Sequence, residues 1–243
     1  MGFGLSISTY FGDHTLDTRI DTFKKSINSL HETNFNGDVF IVDDGSTSNE
    51  HLDYIRSLND ARFNIIKKHT NSGISACKNT GIKHIINSGH SIGFLADDDL
   101  IYKDGWDKIY INAIKITGIQ HFCLWVEDLN KKQNINYNGF EICKTPHVNG
   151  AFLTFTKNII DSIGYFKILP YVYGHEHSNF TLRCLNKKYM PFFCDVANSN
   201  EYIKLIPNTS KSSLGGPEMV SKDKMLENLR IAMSSRSYER CVE

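Results

Sequence analysis

Several short apolar runs stop abruptly at polar clusters and give way to helical periodicity, and this rhythm constrains the fold more than any other feature. Leu5–Thr9 ends at Tyr10, Gly12 and Asp13, Val39–Val42 at Asp43-Asp44-Gly45-Ser46, and Ser91–Leu95 at Ala96-Asp97-Asp98-Asp99. Between them lies another strand-like run, Phe63–Ile66. Leu16, Ile20, Phe23, Ile27 and Leu30 recur at steps of four and three, one face of an amphipathic helix. Further helices are expected over Glu50–Leu58 and Ile74–Ile86, and through Trp106, Ile109, Ala113 and Ile116. Strands alternating with helices predict an α/β fold whose mostly parallel central sheet is flanked by helices. Ligands of such sheets bind beyond the carboxyl ends of the strands, where the polar clusters fall.

The rhythm changes after Gln120. His121–Val126 and Ala151–Phe155 read as strands separated by a polar loop over Asn130–Asn138, and Thr156–Ile163 reads as a short helix. An aromatic, His-containing loop over Tyr171–His177 leads into a helix through Phe180, Leu182 and Leu185. Ser212–Gly216 reads as a flexible stretch before a helix from Pro217 to about Met233. A length of 243 residues suits one large domain with an appendage. The expected division is a domain over residues 1–206 and a flexible segment with a C-terminal helix over 207–243.

Charge is balanced, with 27 Lys+Arg against 27 Asp+Glu. A nucleic-acid binder needs a basic excess to neutralise phosphates, so nucleic acid is not the expected partner. No stretch approaches the roughly 20 apolar residues of a membrane span, and no signal peptide is evident. The six cysteines are scattered with no C-x-x-C pair, which favours reduced thiols and a cytoplasmic location over a zinc site or disulfide framework. Asn208-Thr209-Ser210 fits a glycosylation acceptor pattern, which carries no meaning in that compartment.

Four clusters could carry chemistry. The carboxylates of Asp97-Asp98-Asp99 repel one another unless a cation or strong donors compensate, and hard oxygen ligands suit Mg²⁺ or Mn²⁺. The plainer use is a solvated loop or a helix cap. Asp43-Asp44-Gly45-Ser46-Thr47 can accept hydrogen bonds from a base or ribose, or simply form a capping turn. Asn71-Ser72-Gly73 opens a helix carrying Lys78, so backbone could approach a ligand and the ammonium face a phosphate; capping beside an exposed lysine is the alternative. Gly174-His175-Glu176-His177 puts a carboxylate and two imidazoles at a helix start, where any of them could take a proton from an incoming hydroxyl.

Taken in order, the first strand with Tyr10, V-D-D-G-S-T, N-S-G-I-S-A-C-K-N-T-G-I, L-A-D-D-D and Y-G-H-E-H-S-N-F-T-L-R resemble the pattern of glycosyltransferase family 2 on a GT-A fold, over roughly residues 3 to 200. The resemblance implies that Ser8, Thr9 and Tyr10 line the nucleotide base, Tyr10 by stacking. It gives Asp44 a contact to a uracil ring nitrogen, with Asp43 in support, and sets Asn71, Gly73 and Lys78 around the nucleotide sugar. The acidic triplet matches a metal motif of the form Asp, any residue, Asp. Read from Ala96, it leaves Asp98 as the principal ligand; read from Asp97, it makes Asp97 the ribose contact and Asp99 the ligand. The family commonly has Glu-Asp before the last helix, whereas this chain has Glu176-His177. Counting back from Arg183 puts His177 in the Asp position; Glu176 is the favoured base and His177 the alternative.

The implied reaction is a single in-line displacement that inverts the anomeric centre. A hexosyl or N-acetylhexosaminyl group would pass from a nucleotide-sugar, a UDP-sugar by Tyr10 and Asp44, to an acceptor hydroxyl of a glycan or glycoconjugate. Mn²⁺ or Mg²⁺ and Lys78 would offset charge on the leaving diphosphate. Trp125, Phe166, Tyr171 and Tyr173 are candidates for an aromatic acceptor platform, and Ser212–Gly216 for a lid. A sugar nucleotidyltransferase would want a Gly-rich basic loop where this chain has Tyr10-Phe11-Gly12-Asp13, and no G-x-G-x-x-G supports a dinucleotide-dependent oxidoreductase. A sugar-nucleotide binder without catalysis is the non-enzymatic alternative, raised by the Glu-His departure.

Overall fold

Three of the apolar runs form adjacent parallel strands, as their near-continuous hydrophobicity requires of strands covered on both faces. In the computed structural model, which describes residues 2–12, 16–126, 132–172, 174–207, 221–234 and 238–241, these are β1 (Phe3–Thr9), β2 (Asp38–Asp43) and β4 (Ile92–Asp97). With β3 (Phe63–Lys67) and β8 (Phe152–Thr156) they make a five-stranded sheet of order β3-β2-β1-β4-β8. Only β8 runs antiparallel to its neighbour. The intervening helices are α1 (Leu16–His31), α2 (Glu50–Ser57), α3 (Ile74–Asn87) and α4 (Trp106–Thr117), and α3 lies across β1, β2 and β4. Ile20, Phe23, Ile27 and Leu30 bury the apolar face read from α1.

The second half departs from the expected reading in three places. The supposed polar loop over Asn130–Asn138 contains, among its described residues, the hairpin strand β6 (Gln133–Tyr137), which pairs with β7 (Phe140–Lys144). The two-residue turn Asn138-Gly139 has positive φ at both positions (52° and 86°), the Asn-Gly preference of a type I′ turn. His121–Val126 is not a strand of any ladder. Its bonds are divided between two sheets: Cys123 N–H donates to Cys194, Leu124 N–H to Phe152, and Thr154 N–H to Phe122. Finally, β5 (Leu100–Tyr102) pairs with β10 (Ile203–Leu205), and β7 with β9 (Cys194–Val196), two small antiparallel sheets too short to show a period.

The remaining helices are α5 (Lys157–Ile163), α6 (Glu176–Asn186), α7 (Ser199–Tyr202) and α8 (Lys222–Ser234). Arg183 anchors α6 through Ile163 O, Tyr165 O and Asn179 Oδ1, and α8 packs against α6. Tyr173, the Asn208-Thr209-Ser210 pattern, Ser212–Gly216 and the expected helix start at Pro217 lie outside the described residues. No described helix is long and apolar enough to cross a membrane.

Candidate active site

Strand order reverses between β1 and β4: the chain leaves β1 for β2 and β3 on one side and returns to β4 on the other. Open α/β sheets leave a crevice at such a point. Successive residues at a strand end alternate in direction, so the acidic triplet divides. Asp98 is buried and fully engaged. It accepts from Thr9 Oγ1 at 2.6 Å and from the Arg19 guanidinium on both carboxylate oxygens, at 2.6 and 2.7 Å. Arg19 also donates to Tyr10 O at 2.8 Å, and the Asp98 charge holds it above its ordinary pKa.

Asp97 joins a different network. Its Oδ1 lies 3.6 Å from Lys78 Nζ, which donates to Glu176 Oε1 at 3.3 Å and Gly150 O at 3.1 Å. His177 Nδ1 approaches the same Glu176 oxygen at 3.4 Å. Burial pushes Glu176 up, but Lys78 and His177 outweigh it and hold the carboxyl well below the usual range. Asp97 is pushed up to about 6, by desolvation above all, with Lys78 opposing and Glu176 and Asp98 adding repulsion. Asp99 goes to about 8 through desolvation and then the charges of Asp97 and Asp98. Lys78, itself buried, stays charged because Asp97 and Glu176 offset its desolvation.

Among the described residues, Asp97 Oδ1, Asp99 Oδ1 and Glu176 Oε2 are buried oxygens without a hydrogen-bond donor. Crowded carboxylates with raised pKa values are what a hard divalent cation relieves, so Asp97 and Asp99 fit such an ion. Asp98 already accepts three hydrogen bonds, from Thr9 and Arg19. No described group of three or more His, Cys, Asp or Glu could enclose a metal by itself. A Mg²⁺-type ion commonly uses one or two carboxylates and completes its shell with substrate phosphates and water.

On the other side of β1, Asp43 is buried against Ser46 and His51, and Asp44 accepts the N–H groups of Ser72 (3.1 Å) and Gly73 (2.8 Å), with Lys68 at 3.3 Å. Desolvation raises Asp44 despite these donors. Gly45 takes φ +76°, and a Cβ there would lie 2.5 Å from Thr70 backbone; this close approach is what the D-D-G turn requires. Gly73, at φ +86°, abuts Val172, whose carbonyl accepts Ile74 N–H at 2.9 Å. Asn71 Oδ1 accepts the same Gly73 N–H at 3.0 Å. These residues share the sheet edge with the acidic triplet.

A cleft of about 520 Å³ opens beside the network, bordered by Asp97, Gly150, Glu176 and His177 and by Met225, Leu229 and Met233 of α8. Ser8, Thr9, Tyr10, Asp43, Asp44, Asn71, Gly73, Lys78, Asp98 and Asp99 do not line it. Gly150 lacks a Cβ where one would come within 2.6 Å of His177 Nδ1.

The glycosyl transferase family 2 model matches residues 9–174, well over half of the chain. A protein of Acanthamoeba polyphaga mimivirus, named as an uncharacterised glycosyltransferase, is 39% identical over 206 residues, 83% of this chain and 80% of the relative. The chain belongs to glycosyltransferase family 2. Solved structures of similar fold include the mannosyltransferase PcManGT of Pyrobaculum calidifontis, bound to GDP-Man and Mn²⁺ (TM-score 0.62, 11% identity, 86% of this chain and 57% of that one). S. aureus TarS 1-349 bound to UDP-GlcNAc is another (TM-score 0.65, 16% identity, 96% and 65%). This glycosyltransferase thus spans less than two thirds of either solved chain, and the likeness establishes the GT-A fold.

Two of the aromatic residues considered for an acceptor platform in this family 2 chain are core. Trp125 is 2% exposed, and Phe166 is fully buried, stacked on Phe180 at 4.4 Å. Tyr171 instead holds Glu227 through its hydroxyl. Arg19, Lys68 and Gly150 escaped sequence reasoning. Arg19 reads as one more polar residue on α1 and Gly150 as a loop glycine, whereas Lys68, just beyond β3, stood at a strand end and was findable.

Proposed function

We propose that this chain is a nucleotide-sugar-dependent, inverting glycosyltransferase that uses Mn²⁺ or Mg²⁺ at Asp97 and Asp99. The observation that carries the reading is the continuous series Asp97, Lys78, Glu176 and His177 beyond the strand-order reversal, in which the buried Lys78 joins Asp97 to the Glu176–His177 pair on the cleft. The solved relatives bound to GDP-Man with Mn²⁺ and to UDP-GlcNAc support a nucleotide-sugar donor. UDP is our preferred carrier, through Tyr10 and Asp44 at the base. A bound divalent cation would supply positive charge to the leaving diphosphate.

The chain's own residues do the rest. Asp44 fixes the 72–73 backbone beneath the base. Asp98, clamped by Arg19, ties the ends of β1 and β4 together and sets where Asp97 and Asp99 point. Lys78 spends its ammonium on Gly150, Glu176 and Asp97, and so acts as a positioning residue. Glu176 is ionised and 4% exposed, whereas the His177 side chain is 21% exposed on the cleft. His177 therefore accepts the acceptor's hydroxyl proton, and Glu176 orients the ring and steadies its positive charge, the division of labour of a carboxylate–imidazole pair. Attack from the base side in one step inverts the anomeric carbon. Residues 1–206 constitute the catalytic domain, with α8 docked on it, and the five buried thiols suit the cytoplasm.

The test is nucleotide release from a panel of UDP- and GDP-sugars, with thermal-shift titration of UDP. Release and stabilisation that depend on Mn²⁺ and disappear with EDTA support the reading. Full turnover in EDTA would refute the metal-assisted form, and a chain that binds UDP without turning over any donor would be a binder.

A further inference from the structure

Resting on that reading, we infer that the acceptor carries an aliphatic chain beside the hydroxyl that reacts. The cleft has a lining of two unlike parts. Asp97, Glu176 and His177 make one polar, where the reacting oxygen must lie. The lining also holds an apolar part: α8 contributes Met225, Leu229 and Met233, spaced by four and therefore on one helix face, and Leu182 and Phe193 add to it, while His147, Asn149, His175 and Ser178 extend the polar part.

The face that α8 turns to the cleft offers no hydrogen-bonding side chain. Hydroxyls laid against it would lose water without gaining partners, which costs free energy. An alkyl chain loses nothing there, and flexible methionines adapt to it. That face is fixed in place. Asn228, fully buried, donates to Tyr171 O and Gly174 O at 3.2 Å each and accepts Tyr171 N–H at 3.3 Å, while Asn179 donates to Ala232 O at 2.7 Å. Thus α8 is fastened to the segment that leads into Glu176 and His177.

The experiment uses the full chain with UDP and Mn²⁺, titrated calorimetrically with matched methyl and octyl glycosides of glucose, galactose and N-acetylglucosamine below their micelle concentrations. At least one octyl glycoside binds about tenfold more tightly than its methyl partner. The double variant Met225→Gln/Leu229→Asn abolishes that difference, and Leu226→Asn, at a half-exposed position of α8 that does not line the cleft, preserves it. Equal affinity for the two chain lengths, or an octyl preference that survives the double variant, overturns the inference. UDP titration of the same samples judges the donor reading separately: no UDP binding refutes that reading, whatever the alkyl comparison gives.

Discussion

The Arg19–Asp98 pair shows how one residue can set the geometry of two others. Both oxygens of Asp98 are occupied, whereas Asp97 and Asp99 on either side each keep an unmet oxygen. Arg19→Met leaves Asp98 buried with Thr9 as its remaining described donor. Removing one partner of a buried pair costs about 3–5 kcal/mol, and the 18% exposure of Arg19 lowers that to about 2. A urea midpoint measures the loss, and adding Asp98→Asn recovers part of it; an Arg19→Met protein as stable as the parent would show that the clamp is idle. At His177, alanine cuts kcat by about 100-fold or more, whereas His177→Asp, which restores the family's usual Glu-Asp pair, retains most of it. Gly150→Ala drives a methyl into His177, so kcat falls while UDP affinity holds, as steady-state kinetics and calorimetry report. Unchanged turnover in both His177→Ala and Gly150→Ala would remove His177 from the chemistry.

Elements differ in how openly their sequences declare them. The strand–helix units of the first half were legible because β1, β2 and β4 are buried on both faces and each helix keeps an apolar stripe, two signals that do not depend on distant residues. The β6–β7 hairpin was obscured by its polar residues, although Asn138-Gly139 announced it. The 121–126 segment misled because its apolar run serves two sheets at once. In the candidate site, motif order singled out the acidic triplet and Glu176-His177, and the fold brings Asp97 and that pair together around Lys78. Which acid is clamped could not be read, because it depends on Arg19, 79 residues away. The role of α8 was hidden for the same reason: the partners of Asn228 are 54 and 57 residues distant. Asn228→Ala frees three backbone groups of the 171–174 segment, so kcat drops about tenfold and stability falls by about 2 kcal/mol. Hydrogen exchange at Tyr171 and Gly174 should quicken in parallel, and unaltered exchange would mean that α8 does not hold the segment.

For the molecule as a whole, acid stability tests whether the two halves are locked together at His121. This residue is fully buried between β8 and α6, with Nδ1 at 2.5 Å from Thr154 O and Nε2 at 2.9 Å from Thr181 Oγ1. A carbonyl can only accept, so Nδ1 carries the proton and Nε2 accepts from the hydroxyl. Desolvation pushes the imidazole from 6.5 down to about 4, outweighing the favourable Thr154 bond. Between those values the unfolded chain binds a proton that the folded protein refuses, so stability falls as pH falls. The full interval corresponds to about 3 kcal/mol. Carboxylates at the site titrate in the same range, so the measurement must be a difference. His121→Gln can donate to Thr154 and accept from Thr181 without titrating. Wild-type urea stability should therefore decline relative to His121→Gln by about 3 kcal/mol from pH 6.5 to 4, and the two curves should run parallel above pH 7. Curves that stay parallel down to pH 4 would mean that the imidazole is protonated in the fold, and the junction between β8 and α6 would then have to hold a charge.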